Sequence, residues 1–158
     1  MKKALFLILL AAVLSAAAQI SFDPTRRDVR FNAEVGNGYY GEQDGQIRFK
    51  VINRTAGKDV TVYAWLEEPL SMEDLRFKDS VLEWQIYSPQ KTNGLSSTGF
   101  NSWAPYHGRP VPVLTIDKTY QTGGDVEVLL GTTLRWVPSV QPNGVYNTKI
   151  WFEVEEEI

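Results

Sequence analysis

Cysteine is absent from this chain, and histidine occurs once, as His107. The first absence excludes disulfides, thiolate chemistry and zinc sites of the cysteine type. The second leaves any Ser-His-Asp arrangement with a single available base, set in "PYHGRP" with nothing resembling a Gly-x-Ser-x-Gly nucleophile turn around it. One imidazole without cysteine or clustered carboxylates is also a poor metal site. Basic charge is in short supply too, with 16 Lys and Arg against 19 Asp and Glu and a net charge of −3. Nucleic acids and anionic membranes are bound through basic patches, so neither is expected as a partner. The sequence therefore predicts no catalytic residue, no metal and no cofactor.

Long apolar runs are missing as well, except at the start. "MKKALFLILLAAVLSAAA" opens with Lys2 and Lys3, continues as an apolar stretch from Ala4 to Leu14, and closes on Ala16-Ala17-Ala18. That order is the pattern of a secretory signal peptide cut after Ala18. The stretch is shorter than the roughly 20 apolar residues a spanning helix needs. The expected organisation is a leader, 1–18, and one exported domain, 19–158, with no transmembrane segment after cleavage. Losing Lys2 and Lys3 lowers the basic count from 16 to 14 against 19 acids, a net charge of −5. The destination is the periplasm, the cell surface or the medium.

What the exported part does contain is a period of two. "RDVRFNAEV" puts Val29, Phe31, Ala33 and Val35 on one face, and "QIRFKVIN" does the same with Ile47, Phe49 and Val51. "VTVYAWLE" follows with Val60, Val62, Ala64 and Leu66. Short turns between these three predict an antiparallel meander. "EPLSMEDLRFKDS" is the one place for a helical turn, capped by Ser71 with Glu73 and Asp74 behind it. Strand character returns in "VLEWQIYS", in "VPVLTID", in "VEVLLGTTLRWVP" and in "VYNTKIWFEVE". Pro112 suits an edge or first position, and Gly131 suggests a bend, a bulge or a break. Seven or eight strands with turn signals at this spacing predict an all-β fold, a single antiparallel β-sandwich of immunoglobulin-like architecture.

The C-terminal stretch "LLGTTLRWVPSVQPNGVYNTKIWFEVE", residues 129–155, resembles the last strands of secreted bacterial β-sandwiches of the coat-protein and pilin type. The matching residues are Gly131, Thr133 and Leu134, then Gly144 and Tyr146, then Ile150, Phe152 and Val154. The resemblance implies an exported sandwich that associates with other envelope or surface proteins, or with copies of itself.

Aromatic residues are the remaining resource: five tryptophans and seven tyrosines. Parity places Tyr63 and Trp65 with Thr61, opposite Val62 and Ala64. It places Trp151 with Lys149 and Glu153, opposite Phe152. The connection from Pro89 to Pro110 adds Phe100, Trp103 and Tyr106 in "GFNSWAPYHGRP". Rings in such a segment either form a ligand platform or fold down as a flap that orders the chain and shields a strand edge. The candidate binding set is Tyr63, Trp65, Phe100, Trp103, Tyr106 and Trp151. Three functional readings follow: a non-enzymatic structural or interaction protein of the bacterial envelope, a carbohydrate-binding module that stacks sugars on these rings, and a hydrolase using paired carboxylates. The last would draw on Glu67 and Glu68, Glu73 and Asp74, or the Glu153–Glu157 tail.

Overall fold

The computed structural model describes residues 17–26, 45–72, 75–76, 82–134 and 146–157. The strand expected at Val29–Val35, Trp136 and the Pro142-Asn143-Gly144 turn lie outside these residues. Among the described residues the elements are β1 (Gln19–Phe22), β2 (Gly45–Ile52), β3 (Val60–Leu66), β4 (Ser71–Met72), β5 (Leu75–Arg76), β6 (Leu82–Ser88), β7 (Leu95–Ser96), β8 (Ala104–Pro105), β9 (Val111–Ile116), β10 (Val126–Leu134) and β11 (Ile150–Glu156). No helix among them is long and apolar enough to cross a membrane.

The fold is all-β and built on two antiparallel sheets, one ordered β1-β2-β10-β6-β8 and the other β11-β3-β9-β7. Alternation explains the long strands directly: β3 and β6 bury every second side chain, and the buried members of both sheets join one apolar cluster. Phe49 of β2, Phe152 of β11 and Phe22 of β1 lie 5.4 to 5.7 Å apart between ring centroids, so the two sheets also meet through aromatic edges. Ala18, just before β1, is buried in the same core.

Three expectations are corrected. The meander does not form, because β2 and β3 follow one another in sequence but lie in different sheets. Between them Asn53 takes a φ of 57° and Arg54 turns inward at 6% exposure. Its guanidinium donates to the carbonyl oxygens of Gly124 (2.5 and 2.7 Å) and Tyr120 (3.1 Å), tying the crossing to the turn before β10. The helical turn is replaced by a small hairpin in which Ser71 pairs with Arg76 and Met72 with Leu75. Ser71 also exchanges both backbone hydrogen bonds with Asn147, so the carbonyl that would accept the first helical bond is already used.

Gly131 does not break β10, which runs unbroken from Val126 to Leu134. A Cβ there would lie 2.5 Å from the Tyr87 ring, so the glycine makes room for a cross-strand neighbour. The register shift falls one step earlier, between Leu129 and Leu130. Pro112 sits beside another register shift, opposite Tyr63 of β3, at a point of β9 that β7 does not reach, since β7 pairs only with Thr115 and Ile116.

The segment from Pro89 to Pro110 is an ordered strap. β7 joins the four-stranded sheet and β8 joins the five-stranded one at Glu83 and Trp84, so the chain crosses from one sheet to the other. Ile86 donates to the Gly99 carbonyl and Tyr106 to that of Leu82, which covers the edge of β6. The strap can lie this close because residue 99 has no side chain: a Cβ would meet the buried Trp84 ring at 2.1 Å.

Candidate functional site

The candidate aromatics do not form one patch. Tyr106 is wholly buried, and its hydroxyl lies 2.9 Å from Thr132 Oγ1 inside the core. Burial pushes that hydroxyl far above its usual range, and the threonine contact opposes the shift in part. Phe100 bridges to Ile86 and packs partly buried against the core. Trp103 sets its ring edge-on to Tyr87, with centroids 6.1 Å apart, where the strap meets the five-stranded sheet. His107 is half-buried, and its carbonyl oxygen accepts from the Leu66 amide at the end of β3.

The other three residues do converge. In the β11–β3 register Trp151 stands opposite Trp65, Glu153 opposite Tyr63 and Glu155 opposite Thr61. Directly opposed residues of an antiparallel pair project to one face. Their in-between neighbours on β3, namely Val62, Ala64 and Leu66, are buried, so this face points outward. Trp151 is 46% exposed, and the one other exposed large apolar side chain among the described residues is Phe22 at 40%. Tyr63 and Trp65 are half-buried beside it.

Carboxylates surround these rings. Glu153 and Glu155 are exposed on β11, and an open depression of about 420 Å³ continues the face past Thr61 and Thr115 to Asp59 and Glu157. Burial pushes the Tyr63 hydroxyl above its usual range, and the neighbouring negative charges of Glu155 and Glu153 push it further. Glu156 is different: it turns aside and accepts from the Thr55 amide and hydroxyl at 2.5 and 2.9 Å. One carboxylate of the acidic tail is therefore a structural clamp, which its position in a run of glutamates could not reveal. At the tryptophan end Lys149 is engaged by Glu67 at 3.2 Å.

Chemically the face offers a flat apolar ring with oxygen acceptors set along one line. Among the described residues no three of His, Asp and Glu are placed to hold a metal ion. No protein-family model, curated protein or solved structure matches the chain significantly.

Proposed function

We propose that the chain is an exported, non-enzymatic interaction protein of the bacterial envelope or surface. In this reading residues 1–18 are a leader, whose removal takes the small Ala18 side chain out of the core, and residues 19–158 form a β-sandwich of the immunoglobulin-like kind. The outer face of the four-stranded sheet is its contact surface. Two antiparallel sheets with a shared core support the architecture, and the leader pattern supports export. The observation that carries the function is Trp151, nearly half exposed directly opposite Trp65 with Tyr63 one step along. A soluble domain gains nothing in stability from an open tryptophan, whereas a partner that covers it gains about 25 cal/mol per Å² of apolar surface.

The test is sedimentation of the protein in a gentle envelope or culture extract. The wild-type chain is expected to travel in an assembly heavier than the monomer, and Trp151→Ala to fall to the monomer position while keeping its thermal midpoint. Identical sedimentation of the two would exclude this face as the contact surface.

A second reading, carbohydrate binding, is favoured by the same pair, since Trp151 and Trp65 in register provide adjacent rings along one line. Quenching of tryptophan emission by soluble polysaccharides separates it from a protein contact.

A further inference from the structure

The charge on this face identifies the kind of partner it takes. β3, β9 and β11, the three long strands of the four-stranded sheet, contain no lysine or arginine at all. Their outward positions carry Trp151, Glu153 and Glu155 in one line and Trp65, Tyr63 and Thr61 in the next. At the tryptophan end Lys149 is held by Glu67, and at the other end Lys118 gives its backbone amide to Asp59. The outer face of the five-stranded sheet is of another kind, for there Arg48 and Glu127 balance one another at 3.6 Å. Acidic character is thus concentrated on the face that displays the rings, and it disfavours a second copy of this acidic chain as the occupant.

Resting on the contact surface read above, we propose that it receives an extended polypeptide segment with Lys or Arg at alternate positions. The geometry sets the period. Residues i and i+2 of a strand recur about every 6.8 Å on one face, which matches the spacing of Trp151, Glu153 and Glu155 to that of alternate side chains on an extended ligand. A guanidinium laid on the Trp151 ring gains a cation–π contact while its N–H groups reach toward Glu153. The next cation along meets Glu155, and Asp59 and Glu157 at the far end attract a third. Tyr63 flanks this line, standing opposite Glu153 in the β11–β3 register. Recognition then depends on the order of charges along the ligand as well as on their number.

The test titrates the purified protein with an acetylated peptide of about eight residues alternating Arg and Thr, long enough to follow β11. A peptide of the same composition with its arginines in one block is the control. The alternating peptide is expected to quench Trp151 emission and to bind at least several-fold more tightly than the block peptide. Glu153→Gln with Glu155→Gln is expected to weaken it about tenfold, the scale of two modest surface charge contacts. Both glutamates are exposed, and an unchanged circular dichroism spectrum of the variant confirms its fold. Equal affinity for the two peptides, or an unaffected double variant, would overturn the proposal. So would quenching by a neutral glucan without any response to peptide, or a dimer formed through Trp151; in both cases the contact surface itself would stand. Absence of any ligand response, together with sedimentation indifferent to Trp151→Ala, would remove the surface as well.

Discussion

Tyr106 shows what a single side chain contributes in this fold. It leaves the strap with its amide bonded to Leu82, enters the core, and ends with its hydroxyl against Thr132, which is itself buried. Replacing it with Phe removes that contact and costs about 1 kcal/mol at neutral pH. The same burial raises the hydroxyl above the 10.0 of a free tyrosine. Above pH 10 the unfolded chain releases this proton while the folded chain keeps it. The folded state then binds more protons, and stability falls as pH rises. Urea denaturation across pH 9 to 11 should show a decline in the wild type that is shallower in Tyr106→Phe. The sequence held no sign of this role, because Tyr106 lies in a segment of Gly, Ser, Asn and Pro where no period assigns a ring to the inside or the outside.

The long strands were legible, and β2, β3, β6, β9, β10 and β11 all occur within the stretches the sequence marks as strands, although the end of β10 is buried on both faces. Which strand lies beside which was not legible. Alternation states that one face is buried but not against whom, so β2 and β3 could not be told from a hairpin. The deciding group is Arg54, hidden in "RTAGKD", which reads as an ordinary polar turn. Its guanidinium holds the carbonyls of Gly124 and Tyr120 and sits 5.9 Å from the Tyr120 ring. Gln121 and Thr122 within that turn adopt φ values of 48° and 39°, a conformation that needs such support. Desolvation lowers the pKa of Arg54, while Tyr120, Asp125 and Glu156 act in the opposite sense. Arg54→Met leaves two carbonyl oxygens without their donor and should cost about 2 kcal/mol. A denaturant midpoint unchanged from wild type would show that the crossing is held elsewhere. Arg54→Lys should recover only part of the loss, since an ammonium cannot reproduce the planar fork.

At the scale of the whole molecule the two sheets are asymmetric. One sheet has its β6 edge strapped and an Arg48–Glu127 ion pair on its outer face, while the other shows an open tryptophan above a row of carboxylates. Half of the candidate site was readable in the sequence, because Tyr63, Trp65 and Trp151 stand on strands whose parity fixes their side. Their convergence needed the β11–β3 pairing, which joins residues more than eighty positions apart. Oxidative footprinting of tryptophans tests the central claim most directly, comparing purified protein with the protein in its native extract. Trp84 is buried and serves as an internal reference, and Trp103 reports on the opposite sheet. The account predicts that Trp151 is oxidised readily in the purified protein and severalfold more slowly in the extract, with Trp103 unchanged. Equal oxidation of Trp151 in both preparations would contradict it.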